Sequence, residues 1–86
     1  MVRNKMEVKS LVEKIVLSIV DETDKVQITE EDSENGILYE ITVAKDDVGK
    51  LIGKGGRVAS ALRTIAKASG AKNGVRVLIN VMNKPL

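Results

Sequence analysis

Hydrophobic positions recur along the chain in two periods, and the switches between them divide it into elements. Over residues 6–20 (MEVKSLVEKIVLSIV), Val8, Leu11, Val12, Ile15 and Ile19 fall at helical spacing. Val16 and Val20 widen that stripe, while Glu7, Ser10, Lys14 and Asp21 lie opposite; the periodicity outweighs the lower helix propensity of the β-branched residues. Leu17 points away from the stripe. Residues 25–29 (KVQIT) alternate instead, with Val26 and Ile28 on one face. The acidic segment 30–36 ends in Asn35-Gly36, a turn signal, and residues 37–43 (ILYEITV) alternate Ile37, Tyr39, Ile41 and Val43 against Leu38, Glu40 and Thr42. A β-hairpin with an acidic tip is predicted.

Asp46 or Asp47 is placed to cap a short helix starting near Val48. The glycines of Gly53-Lys54-Gly55-Gly56 interrupt that helix. A further helix is predicted over about 57–69, with Val58, Leu62, Ile65 and Ala66 inward and Gly70 as its C-terminal cap. The loop 70–74 leads to a strand over 75–81, whose core face is Val75, Val77, Ile79 and Val81, and then to a tail. The order helix, strand, strand, helix, helix, strand predicts an α+β fold, a three-stranded sheet with helices packed on one face. A single domain is expected over 1–86, with a core of about 6–82 and a tail at 83–86. The outer sheet face carries Leu38, Leu78 and Met82, a candidate assembly surface.

Composition narrows the chemistry. The 86 residues include no Cys, His, Trp or Phe, and Tyr39 is the only aromatic. No disulfide, thiolate nucleophile or Cys-based zinc site is possible, and the commonest general base and metal ligand are absent. Ser60, Thr64 and Ser69 have no His to activate them and read as surface or packing residues. The run Glu30, Glu31, Asp32, Glu34 lacks the spacing of a calcium loop and suits a solvated turn. No enzyme activity, metal or cofactor is therefore expected. No apolar run approaches the roughly 20 residues that span a bilayer, so a cytoplasmic protein without membrane insertion is expected.

The net charge of +2 hides a polarity. Residues 1–44 carry five basic and ten acidic groups, whereas residues 45–86 carry nine basic groups against Asp46 and Asp47 alone. Such asymmetry suggests one half facing a polyanion and one half facing solvent.

The basic half contains the informative segment, Val48-Gly49-Lys50-Leu51-Ile52-Gly53-Lys54-Gly55-Gly56-Arg57. A nucleotide P-loop needs Ser or Thr after its Gly-Lys pair and a Gly five positions before that Gly, but Gly55 and Val48 stand there. A dinucleotide fingerprint starting at Gly53 needs Gly or Ala where Val58 stands. Two readings of a Gly-x-x-Gly turn between helices stay open. It is either a tight helix–helix turn, or a place where backbone N–H groups and a helix N-terminus meet a phosphodiester, with Lys50, Lys54 and Arg57 adding charge.

Ile52-Gly53-Lys54-Gly55-Gly56-Arg57 resembles the I-G-x-x-G-x core of KH domains, nucleic-acid modules that clamp about four nucleotides on their glycine loop. The element order resembles the type II KH arrangement, αββααβ, over nearly the whole chain. Length, acidic hairpin, V-G-K-L-I-G-K-G-G-R and the following R-T-I-A-K-A together most closely resemble the KhpA family of small bacterial stand-alone KH proteins. Gly55 at the third loop position departs from the usual pattern and implies a more flexible turn. The resemblance implies single-stranded RNA in a cleft formed by Lys50, Ile52, Gly53, Lys54, Gly55, Gly56 and Arg57. Val48, Ile52, Val58 and Leu62 form its apolar floor, and Lys72 and Arg76 its far wall. It further implies an RNA chaperone linked to cell elongation and envelope homeostasis, acting as a homodimer or with a KhpB-like partner carrying KH and R3H domains. The competing expectation is a dimerisation or docking module in which RNA contact is secondary.

Overall fold

The computed structural model describes residues 5–82, with Lys5 and Lys54 as backbone alone. Helix α1 (Lys5–Ile19) leads through a 3-10 turn (Thr23–Lys25) to strands β1 (Gln27–Ser33) and β2 (Gly36–Thr42). Helix α2 (Lys45–Ile52), a 3-10 turn (Lys54–Gly56), helix α3 (Arg57–Lys72) and strand β3 (Val77–Val81) complete the order αββααβ. No helix among the described residues is long and apolar enough to cross a membrane.

The sheet order is β1-β2-β3, with β1 antiparallel and β3 parallel to the central β2. Parallel pairing needs a crossover, and α2, the glycine turn and α3 provide it. Alternation along β2 buries Ile37, Tyr39 and Ile41 against the helical layer, and Val77, Ile79 and Val81 of β3 do the same. Helix α1 contributes Val8, Val12 and Val16, all at 0% exposure. Leu11, Ile15 and Ile19 of the predicted stripe are half-buried flanks of that i, i+4 row.

The face of α3 that meets the sheet is Ala59, Leu62, Ala66 and Gly70. Its small side chains bring the helix close to β3, and Ile65, expected inward, is turned out to 44% exposure. Gly70 is not a cap. It lies inside the buried face, where a Cβ would sit 2.5 Å from Val77 Cγ2 and 2.6 Å from the Val75 carbonyl oxygen. The helix continues to Lys72 and is capped by Asn73, whose Nδ2 donates to the Ser69 carbonyl at 2.9 Å.

Residues Glu30 to Ser33, expected in the turn, belong to β1, and the turn is Glu34-Asn35 alone. An edge strand tolerates charged side chains because solvent reaches them, and the ladder to β2 pairs Glu30 with Tyr39 and Asp32 with Ile37. The Tyr39 hydroxyl bonds the Glu30 carboxylate. Leu38 and Leu78, expected exposed on the outer face, are ladder partners that half-bury each other, and Met82 is also half-buried. Met82 N–H donates to the Ile41 carbonyl at 2.8 Å, and the expected tail at 83–86 lies outside the described residues.

Candidate nucleic-acid interface

The glycine turn joins the C-terminus of α2 to the N-terminus of α3. Gly53 is extended (φ −74°, ψ 176°) and donates its N–H to the Gly49 carbonyl at 2.8 Å. A Cβ on Gly53 would collide with that same oxygen. Lys54 contributes its backbone to the turn, and Gly55 and Gly56 follow at φ 73° with ψ 16° and 23°. Both are left-handed conformations that L side chains disfavour. No atom lies within 4 Å of where a Cβ would stand on either glycine. The turn is therefore closed internally by Gly56 N–H to Gly53 O (3.0 Å) and open on its outer side. Gly56 is the N-cap of α3 and no side chain caps that end, so the first N–H groups of the helix and its positive dipole end face outward with Arg57.

Lys50, Lys54 and Arg57 were expected as cations at this turn, and the structure engages Lys50 internally. Lys50 Nζ pairs with Asp21, which follows α1, and lies 3.1 Å from Asp47 Oδ1. The Asp21 hydrogen bond and then Asp47 raise the Lys50 ammonium above the usual lysine range. Asp47 itself is 1% exposed. Asp46 or Asp47 was expected to cap a helix starting near Val48, but α2 starts at Lys45 behind the extended Ala44, with no side-chain cap. The Asp47 carboxylate instead accepts the N–H groups of Asp21 and Glu22, each at 3.0 Å. Those two bonds hold its carboxyl below the ordinary carboxylate range. The acidic half of the chain is thereby fastened to the helix that carries the glycine turn. A surface depression of about 530 Å³ lies beside this clamp, lined by Ile19, Asp46, Gly49, Lys50, Gly53, Arg57 and Val58.

Of the expected apolar floor, Val48, Ile52 and Val58 are half-buried and accessible from the turn, whereas Leu62 is 1% exposed and supports the floor from beneath. Lys72 and Arg76 are not beside the turn. Because α3 extends past Gly70, Lys72 stands at the opposite end of a 16-residue helix, roughly 22 Å from Arg57 along its axis. There it pairs with Glu7 of α1 at 3.2 Å. Arg76 accepts Ile37 N–H on its carbonyl at 2.8 Å and borders a depression with Asp32 and Glu34, at the hairpin-turn end of the sheet. The expected wall therefore falls at the remote end of the molecule. Arg63, the first residue of the R-T-I-A-K-A run, lies between the two ends and donates Nε–H to the Ile79 carbonyl at 3.3 Å.

Comparison with known proteins meets this geometry. The family model described as the KhpA/KhpB KH domain matches residues 9–81. The RNA-binding protein KhpA of Clostridium acetobutylicum is 45% identical over 74 residues, covering 86% of this chain and 99% of the relative. The proteins of the same name from Oceanobacillus iheyensis and Aquifex aeolicus are 42% and 43% identical over 74 residues, covering 86% of this chain and 99% and 94% of theirs. A family match that spans α1 to the end of β3, on a fold of order αββααβ with its glycine turn between α2 and α3, establishes that the chain belongs to the KhpA/KhpB family of KH-domain proteins.

Proposed function

We propose that this protein is a non-enzymatic, single-stranded RNA-binding module that holds the RNA backbone at Gly53–Gly56. The observation that carries the reading is the pair of left-handed glycines with open space before them, at an uncapped helix N-terminus. A phosphodiester reaches these N–H groups without meeting a side chain, and Arg57 supplies charge. The relatives' names, RNA-binding protein KhpA, support the same ligand. Half-buried Val48, Ile52 and Val58 offer the bases an apolar surface, which suits a chain with a single, fully buried aromatic. Few phosphates are engaged, so one copy binds weakly, and a second module raises the effective affinity. We assign it the role of a cytoplasmic RNA chaperone, acting as a homodimer or with a KhpB-like KH/R3H partner in cell elongation and envelope homeostasis.

The test is fluorescence anisotropy of a short single-stranded RNA with the wild type and the double variant Lys54→Asp, Gly55→Asp. Asp tolerates the left-handed region better than most residues, so the variant is expected to fold and to lose binding by repulsion. A folded variant with wild-type affinity refutes the proposal. A docking module is the second reading, favoured by the exposure of Met6 (73%), Leu17 (39%) and Ile65 (44%). Light scattering after size exclusion tests this second reading, since a strict monomer removes its support.

A further inference from the structure

Lys50 and Arg57 line one depression with Gly53, the first residue of the glycine turn. Lys50 stands three residues before Gly53, about 4.5 Å along the axis of α2. A phosphodiester held at Gly53–Gly56 therefore passes within reach of both side chains. They are not equally free to meet it. No carboxylate among the described residues pairs with Arg57, whereas the Lys50 ammonium is held between two, Asp21 and Asp47.

The two carboxylates differ in what else holds them. Asp47 is buried, and its oxygens accept the N–H groups of Asp21 and Glu22, each at 3.0 Å. Those bonds do not depend on Lys50, and they fix the backbone of Asp21, 29 residues before Lys50, beside α2. The Asp21 side chain is 81% exposed, and among the described residues its carboxylate has Lys50 alone as partner. A carboxylate and a phosphodiester both offer anionic oxygens to an ammonium. Asp21 thus stands where an RNA phosphate would, on a cation at the edge of the turn. Exposure makes the exchange easy, because an ion pair in water is broken at a cost of no more than about fivefold in affinity. A lysine holds its partners as a point charge on a flexible stem, so it can change them without a set geometry.

We infer that Asp21 is an affinity-limiting residue that masks Lys50: its carboxylate takes the phosphate's place on the ammonium in the free protein, and an RNA phosphate displaces it. The inference rests on the RNA-binding reading above and deepens it. The exchange leaves its mark on the salt dependence. A phosphate that meets an unpaired lysine releases a counterion. One that takes Lys50 from Asp21 leaves a carboxylate that draws a cation from solution, and the release is offset.

The experiment is an anisotropy titration of a twelve-nucleotide single-stranded RNA of mixed sequence at several salt concentrations. Wild type, Asp21→Asn, Lys50→Gln and the double variant form a cycle, and Asp21→Ala removes the hydrogen-bonding capacity that Asn retains. Each is checked for folding by its thermal midpoint; the backbone N–H that Asp47 holds is present in all of them. Asp21→Asn and Asp21→Ala are expected to bind about two- to fivefold more tightly than the wild type, with a salt slope steeper by about 0.7. In the Lys50→Gln background, Asp21→Asn is expected to change neither. Unchanged or weaker binding by both Asp21 variants overturns the inference. So does a gain of equal size in the Lys50→Gln background, which marks a general charge effect. Either result leaves the RNA-binding reading standing, whereas absence of binding by the wild type overturns both.

Discussion

Replacing Gly56 by alanine places a Cβ on a residue held at φ 73°, ψ 23°. Nothing lies within 4 Å of that Cβ, so contact energy is removed from the comparison and the cost is conformational. For an L residue in the left-handed region that cost is roughly 1–2 kcal/mol. Gly49, seven positions earlier, is the matched control: its Cβ would also meet nothing within 4 Å, but it stands inside α2. There alanine gains about 0.8–1 kcal/mol of helix propensity. One substitution type, at two open positions of one segment, is thus expected to give opposite signs. Urea denaturation followed by far-ultraviolet circular dichroism reads both. With a slope of about 1 kcal/mol per molar for a domain of this size, Gly56→Ala lowers the midpoint by roughly 1–2 M and Gly49→Ala raises it by somewhat under 1 M. A D-alanine at position 56 carries its Cβ on the other side of Cα, where φ 73° is favoured, and is expected to escape the penalty of the L residue. If L-alanine at 56 leaves the midpoint unchanged, the left-handed turn is not a requirement of the fold, and the reasoning that makes the turn a pre-shaped backbone surface fails.

Tyr39, the sole aromatic, is pushed up to about 12 by burial and then by the charge and hydrogen bond of Glu30. Because the folded value lies above the unfolded one, stability is whole below about pH 10 and falls as pH rises toward 12, by roughly 2–3 kcal/mol. Absorbance at 295 nm follows this one phenol directly, and a native titration midpoint near that of the denatured chain would contradict the assignment; Tyr39→Phe is expected to lose its share of the alkaline decline and keep the share of the raised Lys50. Asp47 has the opposite sense: its lowered value contributes stability above the ordinary carboxylate range that is lost as pH falls through the folded value. Asp47→Asn is therefore expected to be less stable near neutrality and to lose part of the acid decline, measured by melting at stepped pH, and an unchanged profile would show that the carboxylate is not the clamp. Gly70→Ala meets Val77 Cγ2 and the Val75 carbonyl; overpacking of about 1–3 kcal/mol exceeds the propensity gain of up to about 1. A melting temperature at or above that of the wild type would mean that α3 and β3 are not in close contact.

What the sequence made legible was what repeats. The period of α1, the alternation of β2 and the three glycines of the turn placed their elements within a few residues of where they lie. Most of the failures share a cause, the dependence of a residue on a partner far along the chain. Glu30 to Ser33 is the exception: its partners Gly36 to Tyr39 are only three to nine positions away, and it reads as a turn because its acidic side chains show no apolar alternation, which an edge strand open to solvent does not need. Asp47 reads as a cap because its true partners, the N–H groups of Asp21 and Glu22, are 26 and 25 positions away. Ile65 fits an inward spacing as well as Ala66 does, and only the narrow contact made by Ala59, Ala66 and Gly70 decides between them. Gly70 misread as a stop brought Lys72 and Arg76 to the wrong end of the site. Arg63 opens the R-T-I-A-K-A run, but nothing local shows its anchor, because the carbonyl that holds it is 16 residues later.

The parallel pairing of β2 with β3 also orders events in time. Val77 pairs with Ile37 across forty positions of chain, and everything that makes the glycine turn lies inside that span. The β1–β2 hairpin closes locally and early, whereas a long loop pays its closure entropy before any contact returns it. On a ribosome, where segments emerge in order, the hairpin is complete long before Val81 is available. The last strand therefore acts as the closing member of a ring. Until it docks, Ile79 offers no fixed carbonyl to Arg63 and α3 has no strand to lie against. A surface that combines the glycine turn with the edge of β3 is therefore complete only once β3 has docked.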